Sequence, residues 1–163
     1  MIIAIIGLAM YLATDEPETT EEGRTLGTQI SLFDVSDLAN PERIYNYTLD
    51  DGYSSVEYDH RAFLYWPETG LTVIPVQSWT WDEETETESG FSGAIALEAT
   101  RDGIEEIGRI THGKDTEGEE FWWAPAIERS LVIGDSLYTY SYEGILQSDL
   151  ETVEPGTYVA FWR

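Results

Sequence analysis

Short apolar runs broken by clusters of Gly, Pro, Asp, Asn and Ser make up most of this chain, and no segment of about twelve residues or longer keeps a helical period. The pattern predicts strands. Ile2 to Gly7 is a β-branched run ended by glycine and reads as a buried strand. Ile30 to Val35 reads as another, closed by the turn cluster Ser36-Asp37-Leu38-Ala39-Asn40-Pro41. Arg43 to Leu49 alternates, with Ile44 on one face and Tyr45 and Tyr47 on the other. Ala62 to Trp66 and Leu71 to Val76 flank the hairpin loop Pro67-Glu68-Thr69-Gly70. Leu131 to Ile133 and Ser136 to Tyr140 flank Gly134-Asp135, the signature of a type II′ hairpin.

These elements recur in order. The hairpin from Phe63-Leu64-Tyr65 to Leu71-Thr72-Val73 matches that from Leu131-Val132-Ile133 to Leu137-Tyr138-Thr139. Ile30-x-Leu32 matches Ile95-x-Leu97, with Ile145 to Asp149 at the same place in a third copy. Glu42-Arg43-Ile44 follows the first of these strands as Glu105-Glu106-Ile107 follows the second. The expected unit is a four-stranded antiparallel sheet, and residues 1–163 divide into approximate repeats 1–60, 61–115 and 121–163 within a single domain. Acidic loops, Thr14 to Gly23, Trp81 to Gly90 and Gly113 to Glu120, separate the units and belong at the surface.

Composition narrows the environment. Of the 163 residues, 42% are hydrophobic and 13% aromatic, enough for a core and rich in strand formers. There are no cysteines, which removes disulfides, thiol nucleophiles and Cys-ligated zinc together. Against 32 acidic residues stand 8 basic ones, of which only Lys114 is a lysine, for a net charge of −24. Such a polyanion does not bind nucleic acid through its phosphates. The excess of carboxylate reads as a salt-adapted surface, where screening relieves repulsion and carboxylates hold water and cations. The apolar run from Met1 to Ala13 stops at Thr14-Asp15-Glu16, short of the ~20 residues of a spanning helix, and no positive charge precedes Arg24 as a signal peptide requires. It is therefore expected to be a strand, and Met1 to open either a complete chain or a fragment of a longer one.

At Gln29-Ile30-Ser31-Leu32-Phe33-Asp34-Val35-Ser36-Asp37, followed by Asn40-Pro41, the chain resembles the secreted β-propeller domain proteins of archaea and bacteria, relatives of the propellers with Leu-Val-Ile-Val-Asp-type repeats. Asp59-His60-Arg61-Ala62-Phe63, Gly108-Arg109-Ile110-Thr111-His112 and Arg129 to Thr139 fit the same family in the same order, so the resemblance covers most of residues 27 to 150. It implies an all-β propeller of four-stranded blades, secretion or cell-surface display, and no catalytic motif to carry over. Propellers hold about 4–8 blades, whereas this length accommodates about three to four. The chain is thus expected to be part of a larger propeller, or to close its ring by self-association.

Candidate chemistry is sparse. His60 and His112 with Asp59 offer a metal set, but they lack close spacing, and structural histidines are commoner. Asp115-Thr116-Glu117-Gly118-Glu119-Glu120 offers oxygen ligands for calcium without the twelve-residue loop of a helix-loop-helix site, and reads as a solvated loop. Gly90-Phe91-Ser92-Gly93-Ala94 misses the nucleophile elbow, because Ala94 stands at the last glycine and a strand follows. No phosphate-binding glycine motif is present, and no cofactor is expected. Trp79, Trp81, Trp122 and Trp123 border the acidic loops, where exposed rings would stack on sugars and buried ones would pack between sheets. Asn46-Tyr47-Thr48 is a glycosylation sequon lying in an expected strand. The leading expectation is a non-enzymatic binding or scaffold module, displayed outside a halophilic cell, with a protein or glycan partner. The alternatives are a carbohydrate-active hydrolase or lyase with carboxylates in a propeller channel, and a structural subunit of a surface assembly.

Overall fold

The computed structural model describes residues 3–10, 27–50, 52–82, 87–113 and 124–162, with side chains described except at residues 3–10, 80–82 and 87–88. Three antiparallel sheets follow one another along the chain. Strands β1 (Ile3–Met10), β2 (Gly27–Asp34) and β3 (Glu42–Asp50) form the first, in the order β1-β2-β3. The second contains β4 (Gly52–Tyr53), β5 (Leu64–Trp66), β6 (Leu71–Asp82), β7 (Thr87–Thr100) and β8 (Gly103–Ile110). The third, β9 (Ile127–Ile133), β10 (Ser136–Ser141), β11 (Gly144–Asp149) and β12 (Pro155–Ala160), is ordered β12-β11-β10-β9. Two 3-10 turns, Ser55–Glu57 and His60–Ala62, join β4 to β5, and no α-helix occurs among the described residues. The fold is all-β, as the alternation predicts.

The second sheet counts five strands but is four wide. β5 pairs Leu71 to Val73 at one end of β6, and β4 pairs Gln77 and Ser78 at the other, on the same edge. Pro75 sits in the gap between them, where its missing N–H deprives no ladder of a donor. Its carbonyl accepts instead from Ser54 Oγ at 2.6 Å. Ala62 and Phe63, expected to open a strand, belong to the turn before it, because Asp59 Oδ1 accepts from Arg61 N at 3.0 Å and starts a 3-10 turn there. Gly134 has φ 60° and Asp135 does not leave the negative-φ region, as the expected type II′ turn requires, and Gly70, which ends the other hairpin loop, has φ 78°.

Two apolar layers hold the stack. Ile30 and Leu49 of the first sheet pack against Ile74, Val76, Ile95 and Leu97 of the second. On its other face the second sheet sets Leu71, Val73, Ala94 and Ala96 against Ile127, Leu137 and Leu146 of the third. Residues 71–76 and 92–97 are therefore buried without interruption. A strand covered on both faces loses the alternation that marks a one-sided strand.

Strand pairing aligns the repeats one residue away from the alignment the letters suggest. Leu32 and Phe33 flank a bulge that skips Ile44, and Ala96 and Leu97 flank one that skips Ile107. These bulges make Ile30 and Leu32 equivalent to Ala94 and Ala96, not to Ile95 and Leu97. Likewise Trp66 pairs with Leu71 as Ile133 pairs with Ser136, so Leu71 corresponds to Ser136 and Thr72 to Leu137. The Glu-Arg-Ile and Glu-Glu-Ile match, by contrast, coincides with the conserved position of the bulge.

Candidate functional site

A cleft of about 50 Å³ opens where the link between the first two sheets meets the start of the third, lined among others by Tyr53, Ser55, Tyr58, Gln77 and Ile127. Its walls are built by a short, well-anchored segment. Ser54 caps the turn Ser55–Glu57: its hydroxyl accepts from Val56 N at 3.3 Å while Glu57 Oε1 accepts from Ser54 N at 3.4 Å. Glu57 Oε1 also accepts from Thr28 Oγ1 of β2 at 2.6 Å, and Ser54 donates to Pro75 of β6. Asp59, which caps the next turn, accepts from Arg129 Nη2 of β9 at 2.6 Å. Residues 54 to 62 are thereby fastened to all three sheets. Replacing the wholly buried Ser54 by alanine is expected to cost about 1–2 kcal/mol in urea unfolding, since the Pro75 carbonyl and the turn both lose a partner.

On this frame the aromatic side chains are presented outward. Tyr58 is 77% exposed and Trp79 56%, and Tyr53 meets Trp79 edge-on with ring centroids 5.8 Å apart. The Tyr53 hydroxyl donates to Gln77 Oε1, and Gln77 Nε2 donates to Ser92 Oγ at 3.3 Å, so the amide orientation is set by two partners. Burial, with Tyr58 beside it, pushes the Tyr53 phenol pKa up, which keeps it a donor at neutral pH. Ser55 Oγ is buried without a hydrogen-bond partner. Flat exposed rings around a few neutral donors and acceptors suit a neutral, hydroxyl-bearing, ring-shaped ligand. The described lining carries no carboxylate and no histidine.

The other candidates are dispersed. His112 is 7% exposed, between the second and third sheets, and both ring nitrogens are engaged: Nδ1 lies 2.7 Å from Ser141 Oγ and Nε2 2.9 Å from Thr139 Oγ1. Burial lowers its pKa, partly opposed by Glu143, so the ring is neutral and one nitrogen donates while the other accepts. His60 lies in the turn that Asp59 caps, and the Asp59 carboxylate is held low by the Arg61 N–H and by Arg129. No set of three or more metal-ligating side chains occurs among the described residues. Asn46 is exposed on β3, with Nδ2 3.5 Å from Thr48 Oγ1. The calcium candidate from Asp115 to Glu120, Trp122 and Trp123, and the Trp81 side chain lie outside the described residues. The patterns in the sequence single out Trp79 but miss Tyr53, Ser55 and Tyr58, because a two-residue strand and a 3-10 turn leave no periodic signal, and Gln77, because its place on β6 is tied to the site only through Tyr53.

No helix among the described residues is long and apolar enough to cross a membrane. A family model described as "Beta propeller domain" matches residues 4–153. An uncharacterized protein of Archaeoglobus fulgidus is 36% identical over 75 residues, covering 45% of this chain and 12% of that protein, so the match spans only a small part of the relative's length. No solved structure matches the chain. The three stacked antiparallel sheets and the extent of the family match agree: the chain belongs to the β-propeller domain family.

Proposed function

We propose that the chain is a β-propeller binding module that recognises a neutral saccharide at the Tyr53–Tyr58 cleft, with Trp79 beside Tyr53 at its rim, and releases it unchanged. The observation that carries this reading is the exposure of the Tyr58 and Trp79 rings, the latter edge-on to Tyr53, at a cleft lined by neutral residues and held on a rigid frame. The cleft itself is too small for a whole ligand and takes one substituent, so affinity comes from ring stacking at its rim. The carboxylate excess, with a single lysine among 8 basic residues, supports a place outside a salt-adapted cell, as the resemblance to secreted propellers does. It also disfavours anionic glycans as ligands.

The experiment is a glycan array in high salt, followed by calorimetry and a turnover assay on any glycan bound. A neutral oligosaccharide is expected to bind with a Kd near the millimolar range, weakened about tenfold (~1.4 kcal/mol) by Trp79→Ala or Tyr58→Ala without loss of fold. Reproducible bond cleavage would replace the binding reading with the hydrolase or lyase one. Binding that both variants leave intact would move the site elsewhere.

A further inference from the structure

Resting on the saccharide reading above, we infer that the ligand is a soluble chain of pyranose rings whose successive planes turn against one another, as in amylose, held at two stacking positions. The first position is the cleft. Its volume of about 50 Å³ admits one ring substituent, and a sugar seated there lies against Tyr53, which lines it, with the exposed Tyr58 ring alongside. The second position is Trp79, whose ring centroid is 5.8 Å from that of Tyr53. The two rings are close enough that neighbouring units of one chain, and not distant ones, occupy the two positions.

Strand pairing leaves Trp79 open as a platform. Among the described residues, β4 accompanies β6 only as far as Ser78, and β8 accompanies β7 only from Ala94. Trp79 and its partner Gly90 therefore stand on a two-stranded ribbon, past the last residue that either neighbouring strand covers. An opposing side chain would have its Cβ about 5 Å away, but glycine offers none, so nothing faces the indole directly across the ladder. Glycine weakens a strand interior, and close approach of a ligand is one reason to find it there. Phe91, on the other face of the ribbon, packs against the core layer of Ile74 and Ile95, with Arg109 Cζ 5.4 Å from its ring centroid. The ribbon thus sends Phe91 inward and leaves Trp79 56% exposed.

The angle between the rings sets the shape of the ligand. A sugar stacks by laying its axial C–H bonds on the negative face of an aromatic ring, so its mean plane follows that ring. The planes of Tyr53 and Trp79 are inclined at 65°, so two sugars stacked on them are inclined as well. A chain joined through equatorial bonds at both ends of each ring, as in cellulose, is a flat ribbon that needs coplanar platforms. An axial linkage turns the chain at every unit and winds it into a helix, which brings successive rings flat onto inclined ones. A crystalline polysaccharide surface is ruled out by the same geometry, because it cannot lie on both rings at once.

Maltotriose and cellotriose contain the same sugar and differ in linkage, so together they separate shape from composition. The experiment is an NMR titration in high salt with glucose, maltose, maltotriose and cellotriose, beside a pull-down on microcrystalline cellulose. Maltose and maltotriose are expected to bind about tenfold tighter than glucose, the second stacked ring adding ~1.4 kcal/mol. Cellotriose should bind about tenfold more weakly than maltotriose, and cellulose should retain no protein. Trp79→Ala should abolish the gain from glucose to maltose and leave glucose affinity unchanged, whereas Tyr58→Ala should weaken all three. Both side chains are largely exposed, so circular dichroism should not change in either variant. Cellotriose binding as tightly as maltotriose, retention on cellulose, or a chain-length gain that survives Trp79→Ala would overturn the turned-chain ligand and leave the saccharide reading standing. Silence toward both trisaccharides, when a glycan array yields another neutral glycan, would do the same. An array on which no neutral glycan binds would overturn both.

Discussion

Thermal unfolding of the chain is expected to move upward by on the order of 15 °C between 0.1 and 3 M sodium or potassium chloride. The net charge of −24 is spread over a small fold, and only 8 basic residues are present to form ion pairs against it. Those among the described residues are Arg109 with Glu106, at 2.7 Å, and Arg129 with Asp59, at 2.6 Å. Both are partly exposed and contribute little individually. Repulsion summed over many carboxylates can therefore consume several kcal/mol of a stability that is only about 5–15 kcal/mol. The screening length falls from ~8 Å at 0.15 M to ~3 Å at 1 M, so most of the gain should come below 1 M. Sulfate should add to it by strengthening apolar burial. Circular dichroism melts across the series provide the measurement. A flat melting temperature would mean that the carboxylates serve solubility alone.

Replacing His112 by alanine is expected to cost about 3–4 kcal/mol, or roughly 10 °C in melting temperature. The ring bridges the end of the second sheet to the wholly buried hydroxyls of Ser141 and Thr139 and packs edge-on against Tyr158, with centroids 5.3 Å apart. Its removal leaves two buried hydroxyls without this partner and a cavity between sheets. The same site predicts a pH effect. Burial lowers the folded pKa of His112 below its ordinary 6.5, so between those two values the unfolded chain binds the extra proton. The stabilisation is complete above pH 6.5 and declines as the pH falls below it. Glu143, the charged neighbour, reduces this effect without reversing it. Glu106 and Asp149, held low by the Arg109 side chain and the Thr152 N–H, stabilise above their ordinary 4.5 and 3.8 and lose that contribution only at more acid pH. Melting between pH 7.5 and 5.5 in high salt thus isolates the histidine: the wild type should lose more than His112→Gln. Equal losses would assign the pH dependence elsewhere.

Much of the architecture is legible in the letters. The turn clusters around Asn40-Pro41, Pro67 to Gly70 and Gly134-Asp135 punctuate the chain where the structure turns, because Pro and Gly restrict or extend backbone conformation locally. The repeat of Glu-Arg-Ile and Glu-Glu-Ile marks a shared bulge, again a local feature. The membership of Ala62 and Phe63 in a turn was decided by the Asp59 cap competing with their strand propensity.

The candidate site was legible only through Trp79. Its companions Tyr53 and Tyr58 are brought to it by anchors that reach across the fold, from Thr28 to Glu57, Ser54 to Pro75 and Asp59 to Arg129, separated by 29, 21 and 70 positions. No local pattern encodes such contacts. The role of His112 was hidden for the same reason: its partners lie 27 and 29 residues away on β10, and only their burial turns a histidine after a strand into an inter-sheet clamp.

By itself the sequence determined that the chain forms antiparallel strands, where they turn, and that their surface is acidic, since each follows from neighbouring residues or from composition. Register and facing were decided by the tertiary structure. A one-sided strand announces its buried face by alternation, but the runs at 71–76 and 92–97 are buried on both faces and read as unbroken apolar stretches. A slip of one residue there exchanges one apolar face for another, leaving the hydrophobic pattern unchanged. Only the bulges at Ile44 and Ile107 and the hairpin pairings resolve that ambiguity, by fixing which side chains meet the first sheet and which the third.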